Sequence, residues 1–250
     1  MPQIYGITRR NQPSMSAEAV QQQLRAGARG EQVVIPLTSG TYPLADEGAY
    51  FKATNPTVGT GIIHALTTAW SATAALFCLR NTDAEGAKRI YLDYVKLITG
   101  PTAIGMLAAT SVESAVTVDS INRHSSGGTA ITPVNPNMDS SQATVAALNF
   151  GAEVLAAASA ARLVARHAFP RRVAPVMVTG DQFFWNFGSA DSPSVSVVGA
   201  AAPATAAAQF AAPMGPVIIG GGDSLNFHLW YPAGTTTAPT YEFEIAWWER

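Results

Sequence analysis

The sequence predicts an all-β fold, an antiparallel β-sandwich of jelly-roll-like type with an N-terminal arm that carries one short helix. Two observations carry this expectation. From about residue 32 onward, short runs rich in β-branched and aromatic residues alternate with Gly, Pro, Asn and Ser clusters, and no long helical period separates them. The last two runs alternate strictly between apolar and polar residues, the signature of strands with one face on a core.

The arm comes first. Ser16 precedes a segment in which Ala17, Val20, Leu24 and Ala28 recur at helical spacing, with Glu18 in the first turn and Gly27 and Gly30 at the end. This predicts a helix over about 16–28, capped by Ser16. Its apolar stripe is narrow, so in water it needs something to dock on. Arg9, Arg10, Arg25 and Arg29 stand against Glu18 alone. Residues 1–48 are read as this arm plus a first strand, and 49–250 as the sandwich domain, a length that all-β domains often reach as one unit.

Strands are expected at 32–37, 49–53, 74–80, 89–99, 114–119, 161–165, 182–187, 195–198, 225–231 and 241–248. The Ala-rich stretch 142–161 reads either as helix, which Ala favours, or as strand. Within 89–99 both faces carry apolar residues, so an arm, loop or neighbouring subunit is expected over the outer one. In 225–231, Leu225, Phe227, Leu229 and Tyr231 face the core while Asn226, His228 and Trp230 face outward. In 241–248, Tyr241, Phe243, Ile245 and Trp247 oppose Glu242, Glu244 and Trp248. If the two pair as a hairpin, the register sets Tyr231 against Tyr241 and His228 against Glu244.

Composition narrows the function. Charged residues make up 13% of the chain against 48% apolar ones. That lean surface suits a subunit that hides much of its exterior against copies or partners. A net charge of -2 offers no general attraction to nucleic acid or to an anionic membrane, and neither is an expected partner. MPQIYGITRR lacks the apolar core of a secretory leader, and no stretch offers ~20 uninterrupted apolar residues for a spanning helix.

No catalytic, cofactor-binding or metal-binding residue is expected. The only cysteine, Cys78, sits in an apolar run and reads as a small buried hydrophobe. The four histidines (His64, His124, His167, His228) are far apart and lack zinc-ligand spacing. His124 reads as a loop residue. GxSxG is absent, and Gly220-Gly221-Gly222-Asp223 reads as a tight connection with Asp223 capping a turn. Gly59-Thr60-Gly61 lacks the lysine and helix of a phosphate loop. Glu242 and Glu244 fit a solvated strand face better than a glycosidase pair. Trp230 and Trp248, on outward faces, are candidate partner-binding residues, as are Arg9, Arg10, Arg25 and Arg29.

The segments ATNPTVGTGI (53–62), KRIYLDY (88–94), SGGTAITPVNPN (126–137), LWYP (229–232) and EFEIAWWER (242–250) resemble a family of virion structural proteins of short-tailed bacteriophages. The resemblance runs from about residue 50 to the end. It implies a non-enzymatic capsid decoration (cement) protein on the outer surface of the phage head, made in the host cytoplasm. Its partners would be the major capsid protein and copies of itself, as in a trimer. The competing reading is a tail- or connector-associated module that recognises host-surface glycan through Trp230 or Trp248, with Glu242, Asn226 or His228 beside them.

Overall fold

The computed structural model describes residues 41–100, 111–169, 179–187, 209–232 and 237–250. The expected helix at 16–28, the strands at 32–37 and 195–198, and Arg9, Arg10, Arg25 and Arg29 lie outside the described residues. Those residues hold one short helix, α1 (Thr41–Asp46), and thirteen strands: β1 (Tyr50–Thr54), β2 (Ile62–Ile63), β3 (Ala74–Asn81), β4 (Ile90–Thr99), β5 (Glu113–Asp119), β6 (His124–Ile131), β7 (Ala146–Leu155), β8 (Arg162–Ala168), β9 (Gln182–Asn186), β10 (Gln209–Pro213), β11 (Val217–Ile219), β12 (Ser224–Trp230) and β13 (Thr240–Glu249).

The strands form two sheets, and the all-β sandwich expected from the sequence is what the chain adopts. The first sheet runs β1-β13-β4-β9-β10, with β11 beside β4 and β2 beside β13; the second runs β6-β7-β3-β12-β5-β8. Every pairing is antiparallel except β9 with β10. The inward rows meet in one core, to which β12 gives Leu225, Phe227 and Leu229 and β13 gives Phe243, Ile245 and Trp247. Rings tie the sheets together: Phe150 of β7 stacks on Phe243 of β13 with centroids 3.9 Å apart, and Trp185 of β9 meets Phe227 of β12 edge-on at 5.0 Å.

Three expectations need correction, and one open choice is settled. β12 and β13 share the core but do not pair; β12 lies between β3 and β5 in the second sheet, and β13 between β1 and β4 in the first. The chain crosses from one sheet to the other, and the Tyr231 and Tyr241 hydroxyls meet at 2.7 Å as an inter-sheet hydrogen bond. His228 is therefore nowhere opposite Glu244. His124 begins β6 rather than sitting in a loop, and its ring bonds Glu153 of β7. The open choice at 142–161 resolves to strand β7, which pairs with β3 on one side and β6 on the other.

The third correction concerns the outward residues of β12, which are not solvated. The connection from β5 to β6 runs from one side of the second sheet to the far edge. It lies across β12, whose Ser224 hydroxyl donates to the Ile121 carbonyl at 2.6 Å. Arg123, 2% exposed, pins this crossing to its neighbours. Its guanidinium donates to the carbonyls of Ala156 (2.7 Å) and Ala72 (2.9 Å) and lies 3.7 Å from the Asp119 carboxylate. Asp119 in turn accepts from the backbone N–H groups of Ser159 and Ala160, fixing the connection from β7 to β8. The outer face of the second sheet is thus roofed over β12 and its neighbours by these connections, while β8 at the edge stays exposed.

Candidate protein-docking face

The outer face of the first sheet is built by the outward residues of five elements held in register. Tyr50 of β1 lies opposite Trp248 of β13, which lies opposite Tyr91 of β4, which lies opposite Ile218 of β11. Further along the strands, Lys52 is level with Ala246 and Tyr94, and Glu244 with Lys96 and Phe184. Val134 bridges to Lys52 beyond β1 and presents its side chain on the same face. Tyr91, Tyr94, Lys96, Ile98, Phe184, Glu242, Glu244 and Trp248 are all half-buried, and Ile218 and Val134 are exposed. Within the described residues no loop covers the outward side chains of β4, which are half-buried; the expected arm lies outside those residues.

The face is pre-organised. Trp248 and Tyr91 stack with centroids 3.7 Å apart and planes 1° from parallel, and Tyr94 stacks on Phe184 at 5.3 Å. The Lys52 ammonium donates to the Glu244 carboxylate at 2.8 Å and lies 5.6 Å from the centre of the Tyr94 ring, a cation–π distance. The Tyr94 hydroxyl also donates to Glu244, and the Tyr50 hydroxyl donates to Asp93 at 2.6 Å. Burial alone would raise the Glu244 carboxyl, but the bonds from Lys52 and Tyr94 outweigh it and hold the group below the usual carboxylate range. Burial, reinforced by the carboxylates they bond, pushes the Tyr50 and Tyr94 phenols up. Both therefore stay neutral donors.

Trp248 is half-buried and has one ring face closed by Tyr91. Trp230 is 7% exposed and offers no surface to any partner, which corrects its reading as an outward binding residue. The exposed tryptophan is instead Trp70, at 51%, whose ring lies 6.0 Å from that of His228. No sequence period marks it, because it sits in a loop.

Among the described residues, Cys78, His64 and His228 are buried. Burial pushes the Cys78 thiol up to about 12, so it stays protonated. Thr117 donates to His228 Nε2 at 3.0 Å and His228 Nδ1 faces the Ala74 carbonyl at 2.8 Å, the tautomer a base would use. Yet both residues are buried under the roof, at 5% and 1% exposure, and no substrate can reach the hydroxyl. Between them and Cys78 lies Asn226, fully buried, with neither side-chain polar atom hydrogen-bonded. Among the described residues no group of His, Cys, Asp or Glu side chains is placed to hold a metal ion, and no helix is long and apolar enough to cross a membrane.

The chain matches no protein-family model, no curated protein and no solved structure.

Proposed function

We propose that the chain is a non-catalytic virion structural subunit, a decoration (cement) protein on the outer surface of a tailed-phage head, made in the host cytoplasm and bound to the major capsid protein and to copies of itself. The observation that carries this reading is the outer face of the first sheet. Its half-buried aromatic and aliphatic side chains are interleaved with charges of both signs, Lys52, Glu244 and Lys96 on β1, β13 and β4, a mixture of aromatic anchors and polar groups that protein interfaces carry.

The mechanism is mechanical and calls for no cofactor. A folded subunit that binds the assembled shell and not its free parts shifts the assembly equilibrium by mass action. A specific bridge needs contacts of roughly 1,000 Å² or more, which subunits associated with one another through the sheet face, each adding a basic N-terminal segment with Arg9, Arg10, Arg25 and Arg29, can supply. The reading also accounts for the sealed thiol and the roofed Thr117–His228 pair, which stiffen a subunit but cannot serve chemistry. A glycan site on Trp230 would find no open ring, because that side chain is buried, whereas one on Trp248 would have to use the ring face that Tyr91 leaves uncovered.

Gold-labelled antibody against the protein, applied to particles from the parent phage, tests the placement. Label is expected in many copies over the head surface. Label confined to the tail or connector, or absent from the particle, would contradict it.

A further inference from the structure

We infer that the outer face of the first sheet pairs with the same face of a second copy around a two-fold axis that runs parallel to the strands, between β4 and β13. This rests on the reading of that face as a protein interface and names its occupant. The register makes the face self-complementary. Under that axis each outward residue of β4 in one copy lies against its own β13 register partner in the other. Lys96 then meets Glu244, and Tyr91 meets Trp248. One strand further out, Phe184 of β9 meets Thr54 of β1, and Ile218 of β11 meets Tyr50. Lys96 with Glu244 matches opposite charges and Tyr91 with Trp248 matches aromatic rings, as an isologous interface requires, while Glu242 falls against Ile98 at the end of the face.

The charges point the same way. Lys52 and Lys96 stand beside Glu242 and Glu244, so the face carries both signs in balance. A partner of one sign would find half of them repulsive. Four strands, β1 and β13 against β4 and β9, overlap under that axis; spaced ~4.8 Å apart with roughly seven residues each at ~3.3 Å, they cover on the order of 450 Å², and two copies bury about 900 Å², the size of a small, reversible interface.

Sheet edges offer no competing route. β6 is broken by irregular register at His124/Ser126 and Gly127/Thr129, β8 by one opposite Val116/Thr117, and β8 also carries exposed Arg162 and Arg166. β10 ends on Pro213, and β1 is already bridged by Val134. These are the devices that blunt edge-to-edge pairing, so association is left to faces. Of the two outer faces, the second sheet's is roofed over β12 and its neighbours.

Sedimentation equilibrium of the full chain tests the pairing. Wild type is expected as a dimer. Lys96→Glu should raise the dissociation constant at least ~tenfold, the scale of a single interface hot spot, and adding Glu244→Lys should restore pairing. Ile218→Lys, at an exposed position, should weaken the dimer in the same way without touching the ion pair. Circular dichroism of each variant confirms that it is folded. A monomeric wild type, or a dimer indifferent to both Lys96→Glu and Ile218→Lys, would overturn the inference. A monomer that still labels phage heads overturns the pairing alone, whereas a dimer that labels no part of the particle overturns the proposed role alone.

Discussion

At the scale of residues, the interior is held by polar groups whose partners lie far away in the chain. His64 is 1% exposed, with its ring nitrogens 3.3 Å from the Gly151 carbonyl and 3.1 Å from the Leu229 carbonyl. Burial pushes its pKa below 6.5 despite those two carbonyls, and burial does the same to His228. A histidine whose folded pKa lies below its unfolded value binds fewer protons folded than unfolded. Its contribution is therefore whole above pH 6.5 and is lost as pH falls toward the folded value. Thermal midpoints are expected to hold steady from pH 7.5 to about 6.5 and to decline below it, well before ordinary carboxylates titrate near ~4.3. A profile flat down to pH 5 would show that neither histidine is buried as described.

Element by element, the strands were legible in proportion to how one-sided their burial is. β12 and β13 are plain in the sequence because each sets a row of Leu, Phe, Ile and Trp against polar residues. Alternation shows that two strands share a core, but not whether they share a sheet, and residues 232–239 give enough chain to cross. β6, with sequence HSSGGTAI, is an exposed edge strand without an apolar row, so no period announces it. β7, with AALNFGAEVL, is buried on both sides by β3 and β6, and packing overrides the helical preference of its alanines. The docking face was legible in part. Trp248 and the Glu242–Glu244 alternation could be seen, whereas the row from Tyr50 to Ile218 exists only once four distant segments come into register.

The crossing connections make a prediction at this same scale. Arg123 carries the only guanidinium among the described residues that bonds both the Ala72 and Ala156 carbonyls, and it lies beside the buried Asp119. Arg123→Met keeps the length of the side chain but leaves those groups and a buried carboxylate short of a partner. Removing one member of a buried pair costs ~3–5 kcal/mol. Urea denaturation should show a loss of that size, and a loss below ~1 kcal/mol would mean that the roof is not held by this residue.

For the whole molecule, the arrangement is a sandwich with one outer face roofed over β12 and its neighbours by its own connections and the other left to a partner. Folding and docking then draw on different residues: Phe227, Phe243 and Trp247 are interior, whereas Tyr91, Trp248 and Lys96 are half-open. Of these, Trp248 is placed best to separate the two roles. Truncating it removes one stacking contact, worth ~0.5–1.5 kcal/mol beyond its buried area, and leaves the core untouched. The decisive measurement is the occupancy of purified Trp248→Ala on empty phage heads, scored by co-sedimentation beside its thermal midpoint. A midpoint lowered only modestly is expected, with an occupancy at least ~tenfold below wild type at sub-saturating protein. Normal occupancy of the folded variant would contradict a docking role for the outer face of the first sheet.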